Sequence, residues 1–500
     1  MNDNAEDIGS ELRQVAKGTG ISGLGSFGLW ALQLALGYVL AHTLGERGVG
    51  VYSLANNVVR FTQKIAVGGL NVAALRYAST YEAKEEPAKV KGVLVYCILV
   101  SAVAGAVLLV VLSAGAESLC NRLFHSAETG KILRIMALAV PLFAVFEVVT
   151  NAATARRTIT PATVSTLAFE GTLLAAFGLL WLARPDIWAV QWAYVIAALV
   201  SLIVGFRFLL RLFPVLLDRQ VRPTVSIREL LLFAFPLMLM GLATFGISRL
   251  DILLAGLWCS EADVGVYAIA HSLAFFGAFG LGQVAAVFRP IISDLHSRQQ
   301  MAKLGAIFKV ATRWVVTISL PICLFLIVQR QELLGVFGKG FERGHWALAI
   351  LAGAHIVNAS VGHVGWMLIM SGRSWLALVN DMVAVAANIG LAYLLIPLYG
   401  IVGAAVAAAG GLALANLLRL VEVWLIMGLS PYSMSILKPY IAGLVAAGAA
   451  WFIPLEGLFG LAVCLLVCMT VYVGILWLLG FSKTDNLVLQ RIARLTGLGR

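Results

Sequence analysis

Charge is what this chain has least of. Asp, Glu, Lys and Arg make up 12% of its 500 residues, against 61% hydrophobic residues. A soluble domain carries about 25% charge and about 45–50% apolar residues. Too little polar material is present to cover a water-facing globule, so a soluble enzyme is excluded. Cysteine is scarce as well. The six are Cys97, Cys120, Cys259, Cys323, Cys464 and Cys468, and their spacing fits no zinc or redox motif. Cys464 and Cys468 share one helix face as small packing residues. Cys120 and Cys259 both fall on one side of the membrane, and spacing alone leaves their pairing open. The sequence has no HExxH, no Walker A lysine loop and no GxSxG, which removes the support for metalloprotease, ATPase and serine-hydrolase readings. No polar segment is long enough to fold as a catalytic domain. Prolines are few, and Pro141, Pro236 and Pro321 lie inside apolar runs, where they can kink a helix.

What is present is apolar sequence along the whole length. It comes in runs of about 20–27 residues without strand-like alternation, which predicts membrane-spanning helices. A lipid-facing backbone must satisfy its own hydrogen bonds, and a helix does so. The 49 glycines fit close helix–helix approach. Spans are expected near 18–42, 49–76, 91–114, 131–155, 158–182 and 187–211. A second set follows near 229–258, 264–289, 305–328, 344–370, 375–396 and 400–427, and two more near 434–454 and 457–480. The expected fold is thus an all-α polytopic membrane protein of about 14 transmembrane helices. Its divisions are an N-tail (1–17), an N-lobe (18–212), a basic linker (213–228), a C-lobe (229–428), a last helix pair (429–482) and a basic C-tail (483–500). The N-tail lacks the basic start of a signal peptide, so the first helix is expected to be retained.

The net charge is +11. With the N-terminus inside, 23 of the 36 Lys and Arg fall in cytoplasmic tails, loops and helix ends. Seven fall outside: Arg47, Arg122, Lys131, Arg184, Arg330, Lys339 and Arg343. Six lie within spans: Arg60, Lys64, Arg134, Arg249, Arg313 and Arg419. That bias places both termini in the cytoplasm. It also accounts for the basic charge without a nucleic-acid partner, since no Arg- and aromatic-rich surface segment accompanies it.

The chain repeats itself. Val49-Gly50-Val51-Tyr52 opens the second span, and Val264-Gly265-Val266-Tyr267 opens the eighth, 215 positions later. Arg157 and Arg373 recur one residue further apart, each before a helix with a buried acid, Glu170 and Asp381. Six spans, a linker and six more spans give two lobes related by a pseudo-twofold axis along the membrane normal, with substrate expected between them.

Polar residues at membrane depth mark function. Asn56, Arg60, Gln63 and Lys64 form one helical stripe, with Asn57 beside it. Two cations on one face suggest a wall for an anion. The alternative is structural pairing with acids on neighbouring helices. Glu147 and Asn151 make a second stripe, and Glu147 could balance Arg60 or Lys64 or carry a coupling proton. Arg249 and Asp251 lie on different helix faces and are each expected to pair elsewhere. His271, His355 and His363 are titratable groups within spans. Glu422, three residues after Arg419, is expected to be its local partner.

GVYSLANN and GVYAIAHS, each opening a long helix, resemble the second and eighth helices of polysaccharide flippases. So does Arg249-Leu250-Asp251 ahead of the second copy. Asn388 followed by IPLYGIVGAA (396–405) is similar to that family's eleventh and twelfth helices. The family is the oligosaccharide-lipid flippases of the multidrug/oligosaccharidyl-lipid/polysaccharide exporter superfamily. The resemblance, over residues 15–480, implies a non-enzymatic carrier of the bacterial inner membrane. It would move a polyprenyl-pyrophosphate-linked repeat unit by alternating access, for O-antigen or exopolysaccharide assembly. It implies no cofactor, and a polysaccharide polymerase with other assembly proteins as partners; the absence of an ATP-binding loop suggests an ion gradient or simple downhill flux. Arg60 and Lys64 match the cations expected to hold the diphosphate. The first helix lacks the basic residue often found in relatives. Phe275 and Phe279, 215 positions on from Arg60 and Lys64, would form an aromatic wall. A multidrug exporter of the same superfamily is the near alternative, although it would call for a dominant acidic site. A membrane sugar polymerase or acyltransferase is the alternative of another class.

Overall fold

A computed structural model describes residues 3–156, 158, 160–453 and 457–480. Every regular element among them is helical. Gln14–Gly265 form one compact unit, and the described residues up to Arg13, the start of the long opening helix, group with those from Val266 onward as the second. Arg157 and the basic C-tail lie outside the described residues.

The first unit opens with α1 (Asp3–Val67), which is interrupted at Gly45 (φ 68°). The apolar stretch from Phe27 to Val67 has 41 residues. At about 1.5 Å per residue this is roughly twice the thickness of a bilayer core of about 30 Å. It is therefore two crossing arms joined at a glycine rather than by a loop. After α2 (Leu70–Ala83) come α3 (Pro87–Leu123), α4 (Ala127–Met136), α5 (Ala139–Thr154), α6 (Thr160–Ala183), α7 (Trp188–Leu212) and α8 (Ile227–Trp258). The linker carries a single 3-10 turn at Pro214–Leu216. It docks on the start of α3, where the Thr224 N–H donates to the Ala88 carbonyl and Lys91 Nζ to that of Asp218.

The second unit holds α9 (Glu261–Ala274), whose first residues belong to the first unit. It continues with α10 (Phe279–Ser297), α11 (Met301–Val328), α12 (Arg330–Gly335), α13 (His345–Val361), α14 (Val364–Met370), α15 (Ser374–Met427), α16 (Leu437–Trp451) and α17 (Gly457–Leu478). α15 has 54 residues and breaks at Gly400 (φ 56°), inside the IPLYG motif.

Eleven helices among the described residues are long and apolar enough to cross a membrane. The number is twelve if α4 and α5, bent by 48°, make one span. The expectation of about fourteen counts the arms on either side of Gly45 and Gly400 separately.

Besides 131–155, bent between α4 and α5, three spans read as continuous are broken. The segment 49–76 stops at Gly68 (φ 55°) and Gly69 (φ 78°) and resumes as α2. A side chain at Gly69 would put its Cβ 2.2 Å from the Ala234 carbonyl oxygen on α8, so only glycine fits this crossing. The segment 264–289 tightens into a 3-10 turn at Phe275–Ala278. The segment 344–370 breaks at Gly362 (φ 64°). Apolar periodicity runs on through all three breaks, so the pattern alone could not locate them.

Both cores use small residues at helix contacts, as lipid-embedded helices must when no hydrophobic driving force separates them from their solvent. In the first unit Ala73 and Ala74 of α2, Val93 and Cys97 of α3, and Val148 and Ala152 of α5 are fully buried. In the second, Ala442, Ala446 and Ala450 of α16 meet Cys464, Cys468 and Tyr472 of α17. Those two cysteines are packing residues. All six cysteines are free thiols, so Cys120 and Cys259 do not bridge.

Candidate functional site

The polar stripe of α1 faces the inside of the first unit. Its most connected acceptor is Glu147 on α5. Lys64 Nζ donates to both carboxylate oxygens, at 2.8 and 3.0 Å. Gln63 Nε2 adds a bond of 2.7 Å and Asn71 Nδ2 one of 3.0 Å. Asn71 comes from α2, just past the Gly68–Gly69 break, so the break lets residues on either side of it converge on one carboxylate. Of the two roles open to Lys64, the geometry realises structural pairing. Asn151 turns away from this group: its Nδ2 bonds the Glu147 backbone carbonyl at 2.8 Å, within its own helix. The stripe expected from Glu147 through Asn151 is thus one acid and one internally bonded amide.

Arg60 stands apart from that pair. Its guanidinium carbon lies 4.0 Å from the centroid of the Phe143 ring, 5.2 Å from Phe169 and 6.0 Å from Tyr194. Three helices, α5, α6 and α7, each supply one ring. The rings pack edge to face on one another at 5.2–5.7 Å, so the cage is preformed. A cation over an aromatic face gains about 0.5–2 kcal/mol, more as water is removed. Arg60 reaches Gln63 Oε1 only at 3.5 Å. Among the described residues no carboxylate lies within ion-pair distance of it. Glu170 of α6 and Arg249 of α8 lie within electrostatic reach. Glu170 is buried and accepts a 3.0 Å bond from Gln33 on α1. Arg249 also feels Asp251, which is buried in the same helix. Two amides, Asn56 and the buried Asn57, finish the arrangement. Tyr194 donates to Asn56 Oδ1 at 2.8 Å, and Asn57 bonds the Ser53 carbonyl at 2.8 Å.

In the second unit the expected residues are dispersed. Phe275 is 41% exposed and meets His355 edge-on, 6.1 Å between centroids. Phe279 opens α10 after the 3-10 turn. His271 lies 6.2 Å from the Tyr267 ring. His363 is buried beside Phe288 at 5.5 Å. Asp381 forms an ion pair with Arg419. That corrects the local pairing expected of Arg419, because Glu422 instead accepts from Asn380 Nδ2 at 2.6 Å. Both bonds cross between the two arms of α15, which fold back on each other at Gly400.

Sequence reasoning did not reach the cage. Phe143 sits one helical turn before Glu147, and Phe169 precedes Glu170. The usable signal was therefore aromatic residues flanking each buried acid. Gln33 and Asn71 were equally silent, as isolated amides in apolar runs.

With this architecture in place, the class of protein is defined. The fold is similar to that of the lipid II flippase MurJ in an inward closed conformation (TM-score 0.74, 13% identity, 90% of this chain and 97% of that one). It is also similar to a multidrug resistance MATE family transporter of the MOP superfamily (TM-score 0.67, 15% identity, 80% and 94%). A third similar structure is a MOP superfamily transporter from Pyrococcus furiosus (TM-score 0.61, 14% identity, 83% and 95%). The protein is a multi-pass membrane protein with a MurJ/MATE-like transporter fold. It belongs to the polysaccharide biosynthesis protein family, whose profile matches residues 15–296. A curated relative, the probable low-salt glycan biosynthesis flippase Agl15 of Haloferax volcanii, is 27% identical over 173 residues. That match spans 34% of this chain and 37% of the relative's length.

Proposed function

We propose that this protein carries a lipid-linked oligosaccharide across the membrane by alternating access, with the lipid tail left in the bilayer and the anionic head group held by Arg60. The observation that carries the reading is the state of that arginine: a half-buried cation braced by three rings and, among the described residues, paired with no carboxylate. Lys64 is already neutralised by Glu147, so the head-group role narrows from two cations to one. The head group is a polyprenyl pyrophosphate, whose doubly charged linkage suits a planar guanidinium donor. The bias of basic residues supports cytoplasmic termini, and the membrane in this reading is a bacterial inner membrane. Glu147 and Glu170 are the acids available for coupling to a proton or cation gradient. The product would feed a polysaccharide polymerase and its assembly partners.

The test is translocation in proteoliposomes. Purified protein is reconstituted with a polyprenyl-pyrophosphate-linked oligosaccharide, and the sugar reaching the opposite leaflet is measured with an impermeant glycosidase. Wild type should move it, and Arg60→Ala should slow it at least tenfold with insertion unchanged. Inactive wild type with measurable drug efflux would replace this reading by the multidrug one.

A further inference from the structure

A second polar site lies in the first unit, away from Arg60. The ends of α4 and α7, the Gly45 break of α1 and the start of α9 enclose a cavity of about 620 Å³. Its size suits a small organic ligand, since such pockets run from about 300 to 1,000 Å³, but its lining is unlike an apolar ligand cavity. Trp188 lines the cavity with the Arg184 guanidinium 5.7 Å from its ring centroid, and Gln191, one turn on along α7, adds an amide. Gln191 is only 6% exposed, and its side chain has no hydrogen-bond partner among the described residues. Its amide is therefore open to the cavity and free to bond a polar ligand there.

The charges around it are mostly committed. Arg47 bridges Glu128 at 2.9 Å and Glu261 at 2.7 Å, and Arg184 holds Asp186 at 2.7 Å. Glu261 also accepts from Ser126 at the start of α4. Lys131 is exposed on the cavity wall and has no ion-pair partner among the described residues. The cavity thus combines an aromatic platform, fixed planar polar groups, an unpaired amide and one uncommitted cation. A flat ring stacks on the C–H face of a sugar, and amides and guanidinium–carboxylate pairs answer its hydroxyls.

We infer that this cavity binds two or three units of a saccharide that bears a carboxylate, with the sugar face on Trp188, hydroxyls on Gln191 and the carboxylate on Lys131. The inference rests on the glycan reading above and deepens it: the head group at Arg60 and the sugar at this cavity would be separate subsites.

The experiment is titration of the purified full chain in nanodiscs with trigalacturonic acid and with maltotriose. Trigalacturonic acid should bind saturably and at least fivefold tighter than maltotriose. Lys131→Ala should remove that preference, and Trp188→Ala and Gln191→Leu should each weaken both sugars at least tenfold. Lys131 is exposed, so its variant tests the site even if a buried substitution disturbs folding. No saturable binding, equal affinity for the two sugars, or binding lost in Arg60→Ala but kept in the cavity variants would each overturn the inference. Translocation is followed on the same preparations. Active transport without saccharide binding sinks this site alone, whereas binding without transport sinks the flippase reading alone.

Discussion

Gly50 and Gly265 meet backbone to backbone. A Cβ built on Gly50 would lie 3.0 Å from the Gly265 nitrogen and 1.7 Å from the Glu261 carbonyl oxygen. One built on Gly265 would lie 2.8 Å from the Gly50 nitrogen and 1.9 Å from the Glu46 carbonyl oxygen. The two VGVY copies are therefore more than equivalent positions of a repeat: each supplies the gap that the other fills. This is the small-residue crossing that helices in lipid favour. Alanine at either position must push α1 and α9 apart, and overpacking of this kind costs about 1–3 kcal/mol. Gly50→Ala and Gly265→Ala should each lower the melting temperature in detergent. The double variant should fall little further than the worse single one, because one displacement relieves both clashes. Simple additivity would show that the two glycines do not share a crossing.

Lys64 and Glu147 allow an asymmetric test. Removing the carboxylate orphans three donors, Lys64, Gln63 and Asn71, whereas removing the ammonium leaves Glu147 with two amide bonds. The side chains are 33% and 18% exposed, so solvent screens part of the attraction and the full penalty of a buried pair does not apply. Glu147→Leu should cost about 1–2 kcal/mol more than Lys64→Met. The Lys64→Met/Glu147→Leu double variant should recover part of that loss. Thermal unfolding of the four proteins measures the cycle, and equal losses for the two singles would refute the shared-acceptor arrangement.

How much of this was legible beforehand follows from what leaves a mark on sequence. Helical class, lobed repeat and polar stripe are periodic, so they can be read directly. The spacing of Asn56, Arg60, Gln63 and Lys64 is legible as one stripe of α1, but its division into a paired lysine and a caged arginine is not. That division depends on residues 80 to 140 positions away, on three other helices. Helix breaks were legible only in part. Gly68, Gly69 and Gly362 sit in runs whose hydrophobicity continues unchanged, and only their positive φ angles separate them from helical glycines. The last pair of helices is set off by clear polar boundaries and occupies Leu437–Trp451 and Gly457–Leu478.

Asn388 on α15 bears on the family motif. It is 1% exposed, and neither its amide nitrogen nor its oxygen has a hydrogen-bond partner. Its Cβ stands 3.1 Å from where a side chain on Gly411 would begin, so the two arms of α15 pack tightly around it. An unsatisfied buried amide is a net cost of about 1–3 kcal/mol, and leucine has nearly its shape without its polar atoms. Asn388→Leu should raise the melting temperature. If the amide serves in another state of the transport cycle, the same change should slow translocation. A variant that is less stable and equally active would show that Asn388 already has its hydrogen bonds.

Cys259 provides a readout of orientation. It follows the last residue of α8 and is partly exposed, whereas the other five cysteines are buried. Burial, and secondarily Asp263, pushes its thiol up to about 11. The thiolate is the reactive form, so at pH 8 only a small fraction is available, and the alkylation rate should still rise about tenfold per pH unit up to about pH 10. The seven basic residues assigned to the outer side include Arg47 and Arg184, both of the first unit, and Cys259 belongs to the same side by span order. An impermeant maleimide should therefore label intact cells at Cys259, faster at pH 9 than at pH 7.5, and Cys259→Ser should abolish the signal. Labelling that requires permeabilised cells would invert the orientation and place both termini outside. A rate that levels off near pH 9 would mean that the thiol is more hydrated than its packing against α8 and α9 implies.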